Sequence, residues 1–172
     1  MRILGIDPGY AIVGWGILDY ERGQFVVKSF GAITTPAGMP FEKRLNIIFD
    51  DMCTIIDKYK PDALSIEKLF FTNNQKTGID VAQARGVIIL AATLAGISIN
   101  EYTPLQVKQS VVGYGKAEKK QVMEMTRVIL KLREVPKPDD TADALALAIC
   151  HAHCCGSSLQ NRILEKYKLL QQ

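Results

Sequence analysis

The chain has 172 residues and a mass of 19.1 kDa, with 48% apolar and 23% charged residues. One hydrophobic core is the default at this length, and a composition near the globular average excludes a disordered, collagenous or coiled-coil chain. Twenty-one basic against 18 acidic residues leave a net charge of +3 and a pI of about 8.6, compatible with a polyanionic partner without demanding one.

The chain opens on an alternating strand, Arg2 to Asp7, and not on a basic segment leading into an apolar one with a small-residue cleavage site. Its longest mostly apolar stretch, Gly86 to Ile99, is too short to span a bilayer and contains Thr93 and Ser98. The expectation is a cytoplasmic, soluble protein with no membrane partner. After Pro8-Gly9 a second strand runs from Ala11 to Asp19, with Gly14 and Gly16 alternating with Val13, Trp15 and Ile17. Glu21-Arg22-Gly23 turns into a third strand, Gln24 to Thr34, and three strands joined by short turns make an antiparallel meander. Pro40 opens a helix whose Leu45, Ile48, Phe49, Met52, Ile55 and Ile56 fall on one stripe. Ala63 to Glu67 is then a short buried strand. The stretch Thr72 to Thr77 reads as an exposed polar loop, and Ile79 to Ala95 as a helix apolar almost all round. A fifth strand, Ile97 to Tyr102, leads into a helix capped by Thr103-Pro104, which Gly113-Tyr114-Gly115 breaks. Ala117 to Leu132 is a further amphipathic helix. Pro136-Lys137-Pro138 stops it, and a last core helix starts at Asp139 or Asp140 and runs to about Cys154. The fold class expected is α/β with a five-stranded mixed sheet in the order βββαβαβ, flanked by helices. Residues 1–155 form its one domain and residues 156–172, beyond Gly156-Ser157-Ser158, a short amphipathic tail.

Three of the four cysteines lie in Cys150-His151-Ala152-His153-Cys154-Cys155. The ligand types suit zinc, but no second ligand pair stands elsewhere in the chain, so a buried helix end is the favoured reading and binding there stays open.

The acids carry more. Asp7 ends the first strand beside a Pro-Gly turn, and Glu67 ends the fourth in the same way. A carboxylate there is fixed by the sheet yet open to a ligand. A right-handed crossover makes the two strands neighbours, which sets the acids side by side. Asp140 and Asp143 stand three apart at the start of an apolar helix, and their repulsion asks for a cation or for protons. Several acids on rigid elements suit hard divalent ions, and two Mg²⁺ roughly 3.5–4 Å apart can activate water and stabilise a leaving oxygen.

Together, Gly5-Ile6-Asp7-Pro8-Gly9, Ile66-Glu67, Ala82-Gln83-Ala84-Arg85-Gly86-Val87, Gln106-Val107-Lys108-Gln109, Val111-Val112-Gly113, Ala117-Glu118-Lys119 and Asp140-Thr141-Ala142-Asp143-Ala144-Leu145-Ala146 resemble the RuvC family of bacterial Holliday junction resolvases, over residues 1 to about 153. The resemblance implies a ribonuclease H-like fold and a homodimer. It also implies an endonuclease that resolves Holliday junctions, four-way DNA, by symmetric metal-dependent nicks in recombination and repair. By the same match Asp7, Glu67, Asp140 and Asp143 hold two Mg²⁺ ions, with Mn²⁺ as a substitute, and Asp139 falls out of register. Lys108 and Lys119 coincide with basic positions of the motif and join the acids as catalytic residues. The RuvA-RuvB branch-migration complex is the expected protein partner.

Between Lys108 and Lys137 eight basic side chains face three acidic ones, a concentration suited to phosphate contacts or to a solvated helix face. Lys116 and Lys120 are the DNA-binding candidates of this run beside the two motif lysines. Phe70 and Phe71 enter a loop carrying Asn73, Asn74 and Lys76. The family places an aromatic at the first, so Phe70 is expected to stack in the junction centre, Phe71 to pack, and the three polar residues to contact DNA. Two other readings stand: a YqgF-type ribonuclease H-like nuclease, and an actin- or sugar-kinase-like ATP-binding domain. The latter needs two such domains and well over the present length.

Overall fold

A computed structural model describes residues 1–69 and 75–169, with side chains for 1–69 and 78–156. Strands β1 (Arg2–Asp7), β2 (Ile12–Glu21) and β3 (Gln24–Thr34) are followed by α1 (Phe41–Tyr59), β4 (Ala63–Glu67), α2 (Gln75–Leu94), β5 (Ser98–Tyr102), α3 (Pro104–Val112), α4 (Lys119–Ile129) and α5 (Asp139–Leu169). The sheet order is β3-β2-β1-β4-β5, antiparallel across β3, β2 and β1 and parallel from β1 through β5. This is the expected five-stranded mixed sheet of a ribonuclease H-like fold.

Side-chain alternation decides what each face meets. Leu4, Ile6, Val13, Ile17, Leu64 and Ile66 pack with Ile48 and Met52 of α1 and Ala84 and Ile88 of α2. Ile3 and Leu18 point the other way and join Leu145, Ala148 and Ile149 of α5, with Val107 and Val111 of α3 and Val122 of α4. The result is three layers, with β1 and β4 buried on both faces. Asp7 and Glu67 share parity with Ile3 and Ser65, which sets them on the α5 side.

Helix α5 lies against the sheet because the residues beneath it are small. A Cβ on Gly5 would stand 1.9 Å from the Ala144 carbonyl oxygen, and one on Gly14 2.0 Å from that of Asp140. Only glycine permits that approach. Two hydrogen bonds then hold the helix in register: Ser65 Oγ donates to the Leu147 carbonyl at 2.7 Å, and Thr141 Oγ1 to the Gly31 carbonyl at 3.1 Å.

Several boundaries differ from the sequence reading. Helix α2 begins at Gln75, so Gln75 to Thr77 belong to its first turn and not to the polar loop. Helix α4 is shorter at both ends than Ala117 to Leu132, since Glu118 caps it and Lys131, at φ 55°, leaves it in the left-handed region. Helix α5 continues past Cys154 and through Gly156-Ser157-Ser158 to Leu169. A single glycine costs a helix only about 1 kcal/mol, too little by itself to end one. Among the described residues no helix is long and apolar enough to cross a membrane.

Candidate active site

Asp7 and Glu67 occupy the C-terminal ends of adjacent parallel strands, one residue beyond the register pair Ile6 and Ile66. Asp7 is paired across the antiparallel ladder with Gly14, the residue on which α5 starts. That contact brings the first turns of α5, with Asp140 and Asp143, over the end of β1. Four carboxyls from three elements therefore converge at one sheet edge.

Their electrostatics show it. Burial, then the negative charges of Asp143, Glu67 and Asp140, push the Asp7 carboxyl up from 3.8 to about 8. Glu67 is raised by burial and then by Asp143. Asp143 is raised chiefly by burial, against the opposing pull of Lys119. Lys119 is the first residue of α4, whose start is fixed by a capping box between Glu118 and Gln121. Its Nζ lies 2.9 Å from Asp143 Oδ2 and 3.9 Å from Asp139 Oδ2, and this pairing raises its own pKa.

A cavity of about 200 Å³ opens beside the acids, lined by Glu67, Pro104, Val107, Lys108, Lys119, Val122, Asp143 and Leu147. Lys108 reaches it from α3, which starts on a capping box between Thr103 and Gln106. The structure thus brings together Asp7, Glu67, Asp140, Asp143, Lys108 and Lys119. Asp139, out of register in the sequence motif, stands at the edge of the site, 3.9 Å from Lys119 Nζ, and its charge adds to the rise of Asp143.

No three His, Cys, Asp or Glu side chains among the described residues stand in a metal-ligating set as they are. The donors nevertheless fit a hard divalent ion: all are carboxylate oxygens, and at Asp7, Glu67 and Asp143 burial first and neighbouring charge second disfavour the ionised form that a cation would restore.

The remaining sequence candidates fall elsewhere. Phe70, Phe71, Asn73 and Asn74 lie outside the described residues, and Lys76 is described only as backbone of α2. Lys116 is exposed in the turn before α4. Lys120 lines a separate groove of about 520 Å³ with Val112, Tyr114, Gln121, Glu124, Met125 and Val128. Arg127, counted in the basic run, is engaged by Glu124 at 2.6 Å and by the Leu132 carbonyl at 3.1 Å. Cys150 and His151 are buried, the latter 2.8 Å from the Tyr102 hydroxyl. Burial pushes the Cys150 thiol up to about 12 and His151 down, and since α5 continues to Leu169 the two stand in a packed stretch of mid-helix, not at the helix end the sequence suggests.

Two contributions escaped the sequence reading. Ser65 and Gly14 seat the acid-bearing helix, and their signal was parity with Asp7 and Gly5. Arg85, quoted in a motif without a role, donates from Nε to the Glu67 carbonyl at 3.1 Å.

The family model "Crossover junction endodeoxyribonuclease RuvC" matches residues 3–151. The chain belongs to the RuvC family. It is 59% identical over 152 residues to the RuvC of Brevibacillus brevis, covering 88% of this chain and 92% of that one. With the RuvC of Ruminiclostridium cellulolyticum the identity is 55% over 163 residues, covering 94% and 98%. The structure of Thermus thermophilus RuvC superposes with a TM-score of 0.85 at 32% identity over 92% of this chain and 97% of that one. The same protein in complex with a Holliday junction substrate gives 0.84 at 33% identity, covering 88% and 93%. These RuvC matches favour neither the ATP-binding reading nor the YqgF-type one.

Proposed function

We propose that this chain resolves Holliday junctions, cutting two strands of four-way DNA symmetrically as a Mg²⁺-dependent homodimer. The observation that carries the reading is the convergence of Asp7, Glu67, Asp140 and Asp143 beside a cavity edged by Lys108 and Lys119, in a RuvC chain. The four acids hold the metal, with Mn²⁺ as a substitute for Mg²⁺. When bound, the two ions supply an activated water and a stabilised leaving 3′ oxygen. Asp7 and Glu67, fixed by adjacent strands, set the position of the scissile phosphate relative to the sheet. Asp140 and Asp143 close the opposite side on α5. Lys119, 2.9 Å from Asp143, and Lys108, on the wall of the same cavity, would both contact the scissile phosphate.

DNA approaches across this edge. Lys116 and Lys120 contact backbone phosphates flanking the site, Asn73, Asn74 and Lys76 contact the strand near the cut, and Phe70 stacks in the open junction centre. Two symmetric nicks need two sites, and α2 offers the two-fold contact: Ile79, Leu90 and Leu94 are 53%, 50% and 71% exposed. The nuclease domain is residues 1–155, with 156–172 a C-terminal amphipathic tail, and the RuvA-RuvB branch-migration complex delivers the junction in the cytoplasm. Incubation with synthetic four-way and linear DNA, with and without Mg²⁺, tests the reading. Paired nicks at symmetric positions of the junction, and only with metal, are expected. Equal cutting of the linear duplex would overturn it.

A further inference from the structure

We infer that Arg85 is a positioning residue for cleavage, holding the peptide that follows Glu67 so that the acid's carboxyl keeps its direction. Arg85 stands on α2, with its side chain 16% exposed, and reaches under the end of β4. Its Nε donates to the Glu67 carbonyl at 3.1 Å, and its Nη2 meets Glu101 Oε1 of β5 at 2.5 Å. From the other side, the Lys68 N–H donates to the Tyr102 carbonyl at 2.8 Å. The Glu67 carbonyl and the Lys68 N–H belong to one planar peptide group. That group is therefore held at both polar atoms, by α2 and by β5.

The place where this happens gives it meaning. Glu67 is the last residue of β4, paired on one side with Tyr102 of β5, while its register with β1 has already ended at Ile66. A free peptide there can swing about the Glu67 φ angle, which moves the carbonyl carbon and Cβ together. Fixing the peptide fixes the Cα–Cβ direction from which the carboxyl projects. A guanidinium suits the task because its donors form a rigid planar fork, so the Glu101 pairing orients the Nε–H toward the carbonyl. Glu101 is 41% exposed, and an ion pair so open to water adds little to stability. Its consequence is geometric, and a misplacement of about 1 Å in a reacting constellation can cost on the order of 100-fold in rate.

The inference rests on Glu67 serving the cleavage site, and the experiment separates the two. Single-turnover cutting of a four-way junction in Mg²⁺, junction Kd and Tm are measured for the full chain. Arg85→Lys keeps the charge but cannot serve two acceptors in one plane. We expect its cleavage rate to fall about tenfold or more, with Kd within about twofold and Tm within about 2 °C of wild type. Arg85→Ala should recover part of its lost rate in millimolar ethylguanidinium. Glu101→Gln should show a smaller loss, since the bond to the carbonyl remains. Glu67→Gln serves as the reference: wild-type cutting by it removes the site reading itself. If Glu67→Gln is inactive while Arg85→Lys cuts like wild type, the Arg85 inference alone fails. It fails equally if Arg85→Lys loses rate only in step with Tm and junction binding.

Discussion

Replacing Gly14 with alanine displaces Asp140 and Asp143 without substituting either of them. The added Cβ would lie 2.0 Å from the Asp140 carbonyl oxygen, 2.3 Å from its carbon and 2.9 Å from the Thr141 nitrogen. All three obstacles are backbone, so no rotamer change relieves the clash. Bringing the nearest contact to 3.0 Å, below which real Cβ contacts essentially do not occur, requires the first turn of α5 to retreat by about 1 Å. Overpacking of that kind costs ~1–3 kcal/mol, or about 3–10 °C in Tm for a domain of this size. The fold survives, but Asp140 and Asp143 move away from Asp7, and a shift of about 1 Å is worth on the order of 100-fold in cleavage. Gly16→Ala is the matched control. Its new Cβ would meet the buried Leu145 side chain, 2.5 Å from Cδ2 and 2.8 Å from Cγ, and no backbone atom closer than 3.6 Å, so the strain falls on core packing and not on the first turn of α5. Single-turnover cutting of a synthetic junction, with Tm read by circular dichroism, should show Gly14→Ala folded and nearly inactive and Gly16→Ala destabilised yet cutting within a few fold of wild type. A folded Gly14→Ala that cuts at the wild-type rate would refute the seating of α5 on Gly14.

Metal-free protein should become less stable between about pH 4 and pH 8, because Asp7, Glu67 and Asp143 are raised in the folded state and so bind more protons there than in the unfolded chain. Lys119 is raised too, but its contribution is lost only above that window. Urea unfolding in EDTA should give a ΔG lower by about 1–3 kcal/mol at pH 8 than at pH 5, and Asp7→Asn should flatten that slope. A slope of the opposite sign would place these acids in well-paired surroundings instead. Ser65→Ala strands no donor but removes the bond to the Leu147 carbonyl, so denaturant titration should show a loss of about 1 kcal/mol. Lys108→Ala and Lys119→Ala should slow cutting more than they weaken junction binding, whereas Lys116→Ala and Lys120→Ala should weaken binding and reduce its salt dependence. Leu94→Glu on α2 should convert a dimer near twice 19.1 kDa into a monomer by sedimentation, and an unchanged dimer would move the interface elsewhere.

Much of this was legible in the sequence for a simple reason: strand-end acids and helix-start acids carry their positions with them. Asp7 and Glu67 could be placed side by side once β1 and β4 were neighbours, because a parallel pair aligns its C-terminal ends. Two kinds of fact stayed hidden. Long-range seating, such as Ser65 on Leu147 or Gly14 on Asp140, joins residues 82 and 126 positions apart and has no local pattern. Helix ends were the other. Ser157 and Ser158 read as a stop, yet the backbone continues helical to Leu169, because turn-forming residues only bias a helix that its neighbours propagate. The basic run shows the reverse error of counting: Arg127 adds to the charge but is tied to Glu124 on its own helix.

The claim that the four acids form the metal-dependent cutting site is tested most directly by Asp7→Asn, Glu67→Gln and Asp140→Asn, each of which keeps side-chain shape and removes a charge. Junction binding and cutting are measured on the same preparations in Mg²⁺. Each variant should bind four-way DNA close to wild type and leave it uncut. Cutting at the wild-type rate by any one of them would remove that residue from the site, and cutting by all three would remove the site.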